Sequence, residues 1–136
     1  MRPHIKRLIL IPLLLALALP AAPAQARTPC NTHACEVRVA KKQCSQANPR
    51  KCVRHAILVY RLKGANAAWM YRIAGCESTW NPYAKNASGS SGLFQFLPST
   101  FAGTPYARHS IWSAKYNSLA AAWMVTQGRQ SEWVCK

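Results

Sequence analysis

The chain has 136 residues, with 18 Lys and Arg against three acidic residues, a net charge of +15 and six cysteines. A chain of this length holds about one compact domain with a modest core of its own. The only acidic side chains are Glu36, Glu77 and Glu132, so few groups are available for acid–base catalysis.

The first 26 residues are typical of a secretory signal peptide. Three basic residues precede an apolar run from Leu8 to Leu19, and Ala24-Gln25-Ala26 is a small-residue site suited to signal peptidase. A membrane anchor is the less favoured alternative, because the run is shorter than the ~20 residues that span a bilayer and contains Pro12. We therefore expect a secreted protein, located outside the cell or in the periplasm, without stable membrane insertion.

All six cysteines follow this segment. An even number of cysteines in a small exported chain predicts three disulfides formed in an oxidising compartment. A metal site formed by Cys30, His33 and Cys35 is the alternative, disfavoured because no second ligand pair stands at a zinc spacing. We expect neither a metal nor a cofactor.

Beyond residue 26 the chain keeps 15 Lys and Arg against three Glu, a net charge of +12. Such a charge favours an anionic partner, and cell-wall polymers bearing carboxylates or phosphates fit an exported protein. Nucleic acid fits less well, because the sequence has no recognisable nucleic-acid-binding motif. Solubility alone is another explanation for the charge. We expect a monomer.

The apolar periodicity and the turn residues predict a mainly α-helical fold with a small, irregular β or loop segment at residues 83–92. Asn48-Pro49 separates two helices into a hairpin, which we assign to residues 27–63, and residues 64–136 form the second domain. The helices are predicted at residues 34–47, 50–62, 65–78, from Ser99 onward, and 118–127.

The cysteines of the hairpin suggest their own pairing. Cys44 and Cys52 are symmetric about the Asn48-Pro49 turn, whereas Cys35 lies much further down the first helix. This geometry favours a Cys44–Cys52 disulfide and leaves Cys30 with Cys35.

Glu77 is the main chemical candidate. It lies in Cys76-Glu77-Ser78-Thr79-Trp80-Asn81-Pro82, where Asn81-Pro82 stops the third helix. A side chain in a last turn can project into a cleft and protonate a departing oxygen. The alternative is a solvated carboxylate without a chemical role. Eighteen residues later, Gln95 stands among large apolar residues in the segment 90–100.

Together these two segments resemble the lysozyme-like catalytic domain of lytic transglycosylases, the SLT domain, and the resemblance extends over residues 71–127. It implies a lysozyme-like fold, with Glu77 as the catalytic acid and base in peptidoglycan cleavage. Gln95 is implied to contact the glycan strand. Asn86 replaces a serine that often orients the substrate. The expected substrate-binding residues are Asn86, Ser91, Gly92, Phe94, Gln95 and Tyr106, the last as an aromatic that stacks on sugar.

The end of the chain departs from many such enzymes, because it lacks their Ala-Tyr-Asn-Ala-Gly motif. It has Tyr116-Asn117-Ser118-Leu119-Ala120-Ala121-Ala122-Trp123 and then Trp133-Val134-Cys135. This ending resembles small secreted actinobacterial muralytic proteins, the resuscitation-promoting factors, in which a cysteine beside the catalytic Glu pairs with one near the C-terminus. The resemblance implies a Cys76–Cys135 disulfide.

Several functional alternatives stay open from the sequence. The bond between N-acetylmuramic acid and N-acetylglucosamine is cut by one Glu in the implied scheme, yielding either a 1,6-anhydro product or a hydrolytic one. Glu132 is a possible second carboxylate, because the Cys76–Cys135 disulfide brings it near Glu77. A non-catalytic cationic wall-binding or antimicrobial protein is the alternative of a different class, and an enzyme acting on chitin-like polymers is the third.

Overall fold

The computed structural model describes residues 30–135, so the predicted signal peptide lies outside the described residues. The described part is mainly helical, which confirms the expected fold class. No helix in it is long and apolar enough to cross a membrane. The helices are α1 (His33–Gln43), α2 (Pro49–Val59), α3 (Gly64–Ser78), α4 (Pro98–Ala102) and α5 (Ala114–Thr126), followed by a 3-10 turn at Gln130–Glu132.

Helices α1 and α2 form the expected hairpin, but α1 ends four residues before the predicted Ala47. Cys44 leaves the helical conformation, and the N–H of Asn48 donates to the carbonyl of Ser45 at 3.0 Å. Pro49 then occupies the first turn of α2, where its missing N–H costs no hydrogen bond. The tight turn brings Cys44 and Cys52 into a disulfide with Cα atoms 4.4 Å apart.

Helix α2 lies at the centre of the molecule. Its residues Val53, Ala56 and Ile57 belong to the same buried cluster as residues of α3 and α5. Three consecutive alanines, residues 120–122, are fully buried on α5, and their small side chains let neighbouring helices approach closely. The division at residue 64 stays a prediction, and it falls between two helices that both contribute to this core.

The segment between α3 and α4 is irregular, as expected. Among the described residues it holds only isolated bridges, in which Ser91 pairs with Lys85 on one side and Phe96 on the other. Asn117 of α5 fixes this segment by hydrogen bonds. Its Oδ1 accepts the N–H of Phe94 at 2.7 Å, and its amide group donates to the carbonyl of Ile111 at 2.8 Å. A fully buried amide thus fixes the loop to the helical core.

The residues after α5 return to the end of α3. Cys135 is bonded to Cys76, and Trp133 is buried with 6% of its surface exposed. The indole of Trp133 donates to the carbonyl of Phe94 at 2.7 Å and packs edge-on against Trp69 and Phe96. With Cys30–Cys35, the three disulfides join the pairs expected from the sequence.

Candidate active site

Glu77 lies in the last turn of α3, as the sequence predicts. The helix ends at Ser78 because Thr79 and Trp80 both adopt left-handed backbone conformations, with φ of 52° and 66°. The indole of Trp80 folds back over Gly75, where a Cβ would lie 3.1 Å from Nε1. This reversal leaves the side chain of Glu77 half-buried at the surface instead of within the helical core.

The segment after α5 holds the carboxylate of Glu77. The backbone N–H of Cys135 donates to Glu77 Oε1 at 3.2 Å, and the neighbouring disulfide to Cys76 fixes Cys135 beside the helix. A backbone donor cannot change rotamer, so the direction of this carboxylate is restrained by the covalent structure around it. Glu77 keeps its second oxygen for other partners.

A cleft of about 450 Å³ opens at Glu77. One side comes from the loop between α3 and α4, and the other from α4, α5 and the segment 132–134. Apolar and polar groups alternate around it, which suits a ligand with both ring faces and hydroxyls. The lining residues are Glu77, Asn86, Ser88, Ser90, Gln95, Phe96, Leu97, Thr100, Met124, Glu132, Trp133 and Val134.

Gln95 lines this cleft together with Glu77. Its backbone is left-handed, with φ of 49°, and its side-chain N–H₂ donates to the carbonyls of Ala84 and Gly92, both at 2.8 Å. These two bonds use the donors of the amide and fix its plane. The carbonyl oxygen accepts no hydrogen bond from residues 30–135, so Gln95 is positioned to accept one from a ligand.

Asn86 also lines the cleft, but its side chain is engaged in its own loop. Its Oδ1 accepts the hydroxyl of Ser88 at 2.7 Å and the N–H of Ser90 at 2.9 Å. The amide N–H₂ remains for a ligand. Asn86 therefore stabilises its own loop and also offers a hydrogen-bond donor at the cleft.

Three other residues expected at the substrate lie below the cleft surface. Phe94 is fully buried, and Ser91 is 3% exposed. The backbone of Ser91 exchanges hydrogen bonds with Phe96 at 2.8 and 2.9 Å. Gly92 has φ of 81°, and a Cβ there would collide with Asn117 and the carbonyl of Ile111. These residues shape the loop that carries Gln95.

Tyr106 lies outside the cleft lining as well. Its hydroxyl shares a 2.6 Å hydrogen bond with that of Tyr60, and its ring packs against Tyr116, on which His109 stacks at 3.5 Å. Burial, followed by the hydrogen bond to Tyr106, raises the pKa of Tyr60 strongly. The hydrogen bond between the two hydroxyls joins the end of α2 to the 104–113 connection.

Glu132 is the second carboxylate that lines the cleft. Both of its oxygens are bound by Arg129, from Nε to Oε1 and from Nη2 to Oε2 at 3.0 Å. The pair is exposed to solvent, and its attraction is therefore screened. The two glutamates differ chemically, because Glu77 contacts a neutral backbone N–H whereas Glu132 is neutralised by a guanidinium.

Sequence reasoning missed several of the residues that line the cleft. Leu97 and Val134 line the cleft and are 45% and 92% exposed. Thr100 and Met124 also line it. The signal available was the predicted Cys76–Cys135 disulfide, which implies that the residues just before Cys135 lie near Glu77. Leu97 and Thr100 carried no such signal.

The alternative metal site is not formed. Cys30 and Cys35 are joined as a disulfide, so neither supplies a thiolate to a metal with His33. Within residues 30–135 there is no group of three His, Cys, Asp or Glu side chains arranged to hold a metal ion.

No curated protein and no solved structure matches the chain. A protein-family model does match, and it covers α3, the loop between α3 and α4, α4 and most of α5. These are the elements that carry Glu77, Gln95 and Asn117. Residues 60–124 match the transglycosylase SLT domain, which supports a lysozyme-like lytic transglycosylase domain in this part of the chain.

Proposed function

We propose that the protein is an exported enzyme that cleaves the glycan strands of peptidoglycan, with Glu77 as its single acid and base. The observation that carries this proposal is the placement of Glu77 and Gln95 on one cleft within the segment that matches the SLT domain. The substrate bond is the β-1,4 link between N-acetylmuramic acid and N-acetylglucosamine.

In the first step, protonated Glu77 gives its proton to the bridging oxygen while the bond from that oxygen to the muramoyl C1 breaks. The N-acetylglucosamine side leaves as an alcohol, and C1 becomes electron-deficient. The Glu77 carboxylate then takes a proton from the attacking hydroxyl, which restores the acid. When the attacker is the 6-hydroxyl of the same sugar, the product is a 1,6-anhydro ring; when it is water, the product is hydrolytic.

A single-carboxylate scheme agrees with the surroundings of Glu132. Two-carboxylate glycosidases place a second free carboxylate about 5 to 10 Å from the first. Glu132 lines the same cleft, but both of its oxygens are hydrogen-bonded to Arg129, whereas Glu77 has one oxygen without a partner among the described residues. We therefore assign proton transfer to Glu77 and a role in shaping the cleft to Glu132.

The remaining lining residues fit a sugar ligand. The free carbonyl of Gln95 accepts a hydroxyl or amide proton, and the amide of Asn86 donates one. Leu97 and Val134 present apolar surface at the cleft, which suits the face of a sugar ring or an N-acetyl methyl group. This set accounts for binding of an N-acetylated glycan.

We place the mature protein outside the cell or in the periplasm, as a monomer. The signal-like residues 1–26 and the three disulfides support export into an oxidising compartment. Its ending, with a disulfide from beside Glu77 to Cys135, supports a relationship to the resuscitation-promoting factors. Anionic wall polymers are its further proposed partner.

Digestion of purified peptidoglycan tests the proposal. We expect the turbidity of a wall suspension to fall and muropeptides to appear by mass spectrometry, and an anhydro product is lighter than the hydrolytic one by one water. Glu77→Gln is the matched control, since it keeps the shape and an acceptor for the Cys135 N–H. Loss of one general acid costs about 10²- to 10⁴-fold in rate. Wild-type turnover in this variant removes Glu77 from the mechanism.

A second function has one observation in its favour. Of the 13 Lys and Arg in residues 30–135, Arg129 alone forms an ion pair with a carboxylate, so the surface carries a large uncompensated charge. A non-catalytic cationic wall-binding or antimicrobial protein has this property. It is the better description when the wall is bound but no muropeptide is released, whereas release of soluble chito-oligomers indicates a chitin-like substrate.

A further inference from the structure

Two arginines and two aromatic rings meet on the surface between α2 and α3. The guanidinium carbon of Arg50 lies 3.9 Å from the centre of the Trp80 ring, and Tyr71 lies 6.1 Å from the same ring. Arg54 follows one turn later on α2, about 6 Å along the helix axis. We call this group, Arg50, Arg54, Tyr71 and Trp80, the arginine–aromatic patch.

Arg50 and Arg54 both lie close enough to Tyr71 to affect its phenol. Burial raises the pKa of Tyr71, while the positive charges of Arg54 and Arg50 act in the opposite direction. Both arginines are exposed, and neither forms an ion pair with a carboxylate of residues 30–135. Glu77 and Glu132 lie at the cleft, and Glu36 lies on α1. The positive charge of the patch is therefore uncompensated by the protein.

Helix stability does not explain these arginines. The first turn of α2 contains Arg50 and Lys51 and no acidic residue, although the positive end of the helix dipole lies there and disfavours cations. The Trp80 ring offsets part of this cost by a cation–π contact for Arg50. Stacking on a ring also leaves the N–H donors at the edge of the planar guanidinium directed outward, where they bind oxyanions well.

We infer that the arginine–aromatic patch is a binding surface for a linear phosphodiester polymer of the cell wall, such as poly(glycerol phosphate). Two arginines placed one helical turn apart on α2 suit a chain with phosphates at regular intervals, and each guanidinium carries several donors for phosphate oxygens. The choice of a wall polymer rests on the proposed function, whereas the chemistry of the surface rests on the arginines. Binding here retains the enzyme at a wall that carries such polymers.

Binding of fluorescently labelled poly(glycerol phosphate) to the exported protein tests the inference. We expect Arg50→Gln with Arg54→Gln to weaken binding about tenfold or more, since each basic residue near an anionic surface contributes on the order of a few-fold to tenfold. The matched control is Lys85→Gln with Arg108→Gln, which removes the same charge from two separate loops. We expect it to change binding less than about threefold, because its long-range effect is screened by salt.

The other outcomes overturn the inference. Equal loss in both double variants means that binding follows net charge and not this surface. No loss in the arginine variant removes the patch as a site. Tighter, Arg50- and Arg54-dependent binding of single-stranded DNA of equal charge assigns the surface to nucleic acid.

Failure of the inference is distinguishable from failure of the proposed function. Cleavage of peptidoglycan stripped of phosphate polymers should be unchanged in the arginine variant, and Glu77→Gln should bind the polymer as wild type does. Loss of cleavage of the stripped substrate in the arginine variant contradicts a separate binding surface. An inactive wild type that still shows arginine-dependent binding contradicts the enzyme assignment alone.

Discussion

The backbone N–H of Cys135 donates a hydrogen bond to the carboxylate of Glu77, 58 positions earlier in the chain. This contact joins the proposed catalytic group to a segment whose residues 132–134 also line the cleft. It exists because the disulfide to Cys76 holds Cys135 next to the end of α3. The position of one side chain thus depends on a covalent bond of its neighbour.

Removing this disulfide should reduce both stability and activity. For Cys76→Ala with Cys135→Ala we expect a loss of about 4 kcal/mol in the free energy of unfolding, from the entropy of a loop of 59 residues. Cleavage should fall further than the folded fraction, because Cys135, whose N–H holds the Glu77 carboxylate, is no longer bonded to Cys76. Urea titration and turnover at a temperature where the variant is folded measure the two effects.

The Cys44–Cys52 disulfide is the control for that experiment. Its loop is only eight residues long, so its removal should cost about 2 to 3 kcal/mol, and it lies outside the cleft lining. Turnover per folded molecule should stay near wild type. Equal loss of turnover in both variants contradicts a specific role for the Cys135 segment.

Glu132→Gln should leave the reaction largely intact. The ion pair with Arg129 is exposed and screened by solvent, so it contributes little to stability, and proton transfer is assigned to Glu77. We expect turnover within about tenfold of wild type and the same product by mass spectrometry. A loss of about 100-fold or more, absent from Arg129→Gln, makes Glu132 a second catalytic carboxylate.

Gly92→Ala should destabilise the protein strongly. The residue has positive φ, and the new Cβ collides with Asn117 and a backbone carbonyl, so we expect a loss of about 3 kcal/mol or more in the free energy of unfolding. Gly89 has φ of 87° but open space around it, so Gly89→Ala should cost only about 1 to 2 kcal/mol. Denaturant titration compares them, and equal costs contradict the steric explanation.

Stability should decline with acid because of His55. Burial lowers the pKa of His55, and Lys115 and Lys41 lower it further. Its buried Nδ1 has no hydrogen-bond partner among the described residues. As the pH falls below about 6.5, the unfolded chain binds a proton that the folded protein excludes, so the free energy of unfolding decreases until the folded pKa is passed.

Replacement of this histidine checks the pH prediction. His55→Gln should flatten the decrease in thermal midpoint between about pH 7 and about pH 5, whereas His109→Gln, at an exposed position, should keep it. An unchanged slope in His55→Gln would assign the acid sensitivity to other groups.

The sequence predicts the type and order of the elements better than their ends. The five helices follow from apolar spacing and from breaks such as Asn48-Pro49. However, α5 begins at Ala114, four residues before the predicted Ser118, because its first turn is capped from a distance. The side chain of Gln46 accepts the N–H of Ala114 and donates to the carbonyl of Trp112 at 2.8 Å. No local pattern reveals a partner 68 residues away.

Of the residues that the sequence motif predicts at the substrate, some line the cleft and others do not. Glu77, Asn86 and Gln95, which the motif predicts at the substrate, line one cleft. Phe94 was expected to touch the substrate, yet its side chain is inside the core. The left-handed backbone of Gln95 reverses the chain between the two positions. A sequence motif gives the residue types but not this reversal, which decides which side chain faces the ligand.

The residues that line the cleft come from separate parts of the chain, and residues 132–134 are synthesised last. A nascent chain exposed only as far as α5 already contains Glu77 and Gln95, but it lacks the wall at residues 132–134 and the donor at Cys135. Because the disulfide of Cys135 forms by thiol oxidation, a chain kept under reducing conditions would lack the bond that holds this donor beside Glu77. The redox state of its surroundings would therefore affect how firmly the Glu77 carboxylate is held.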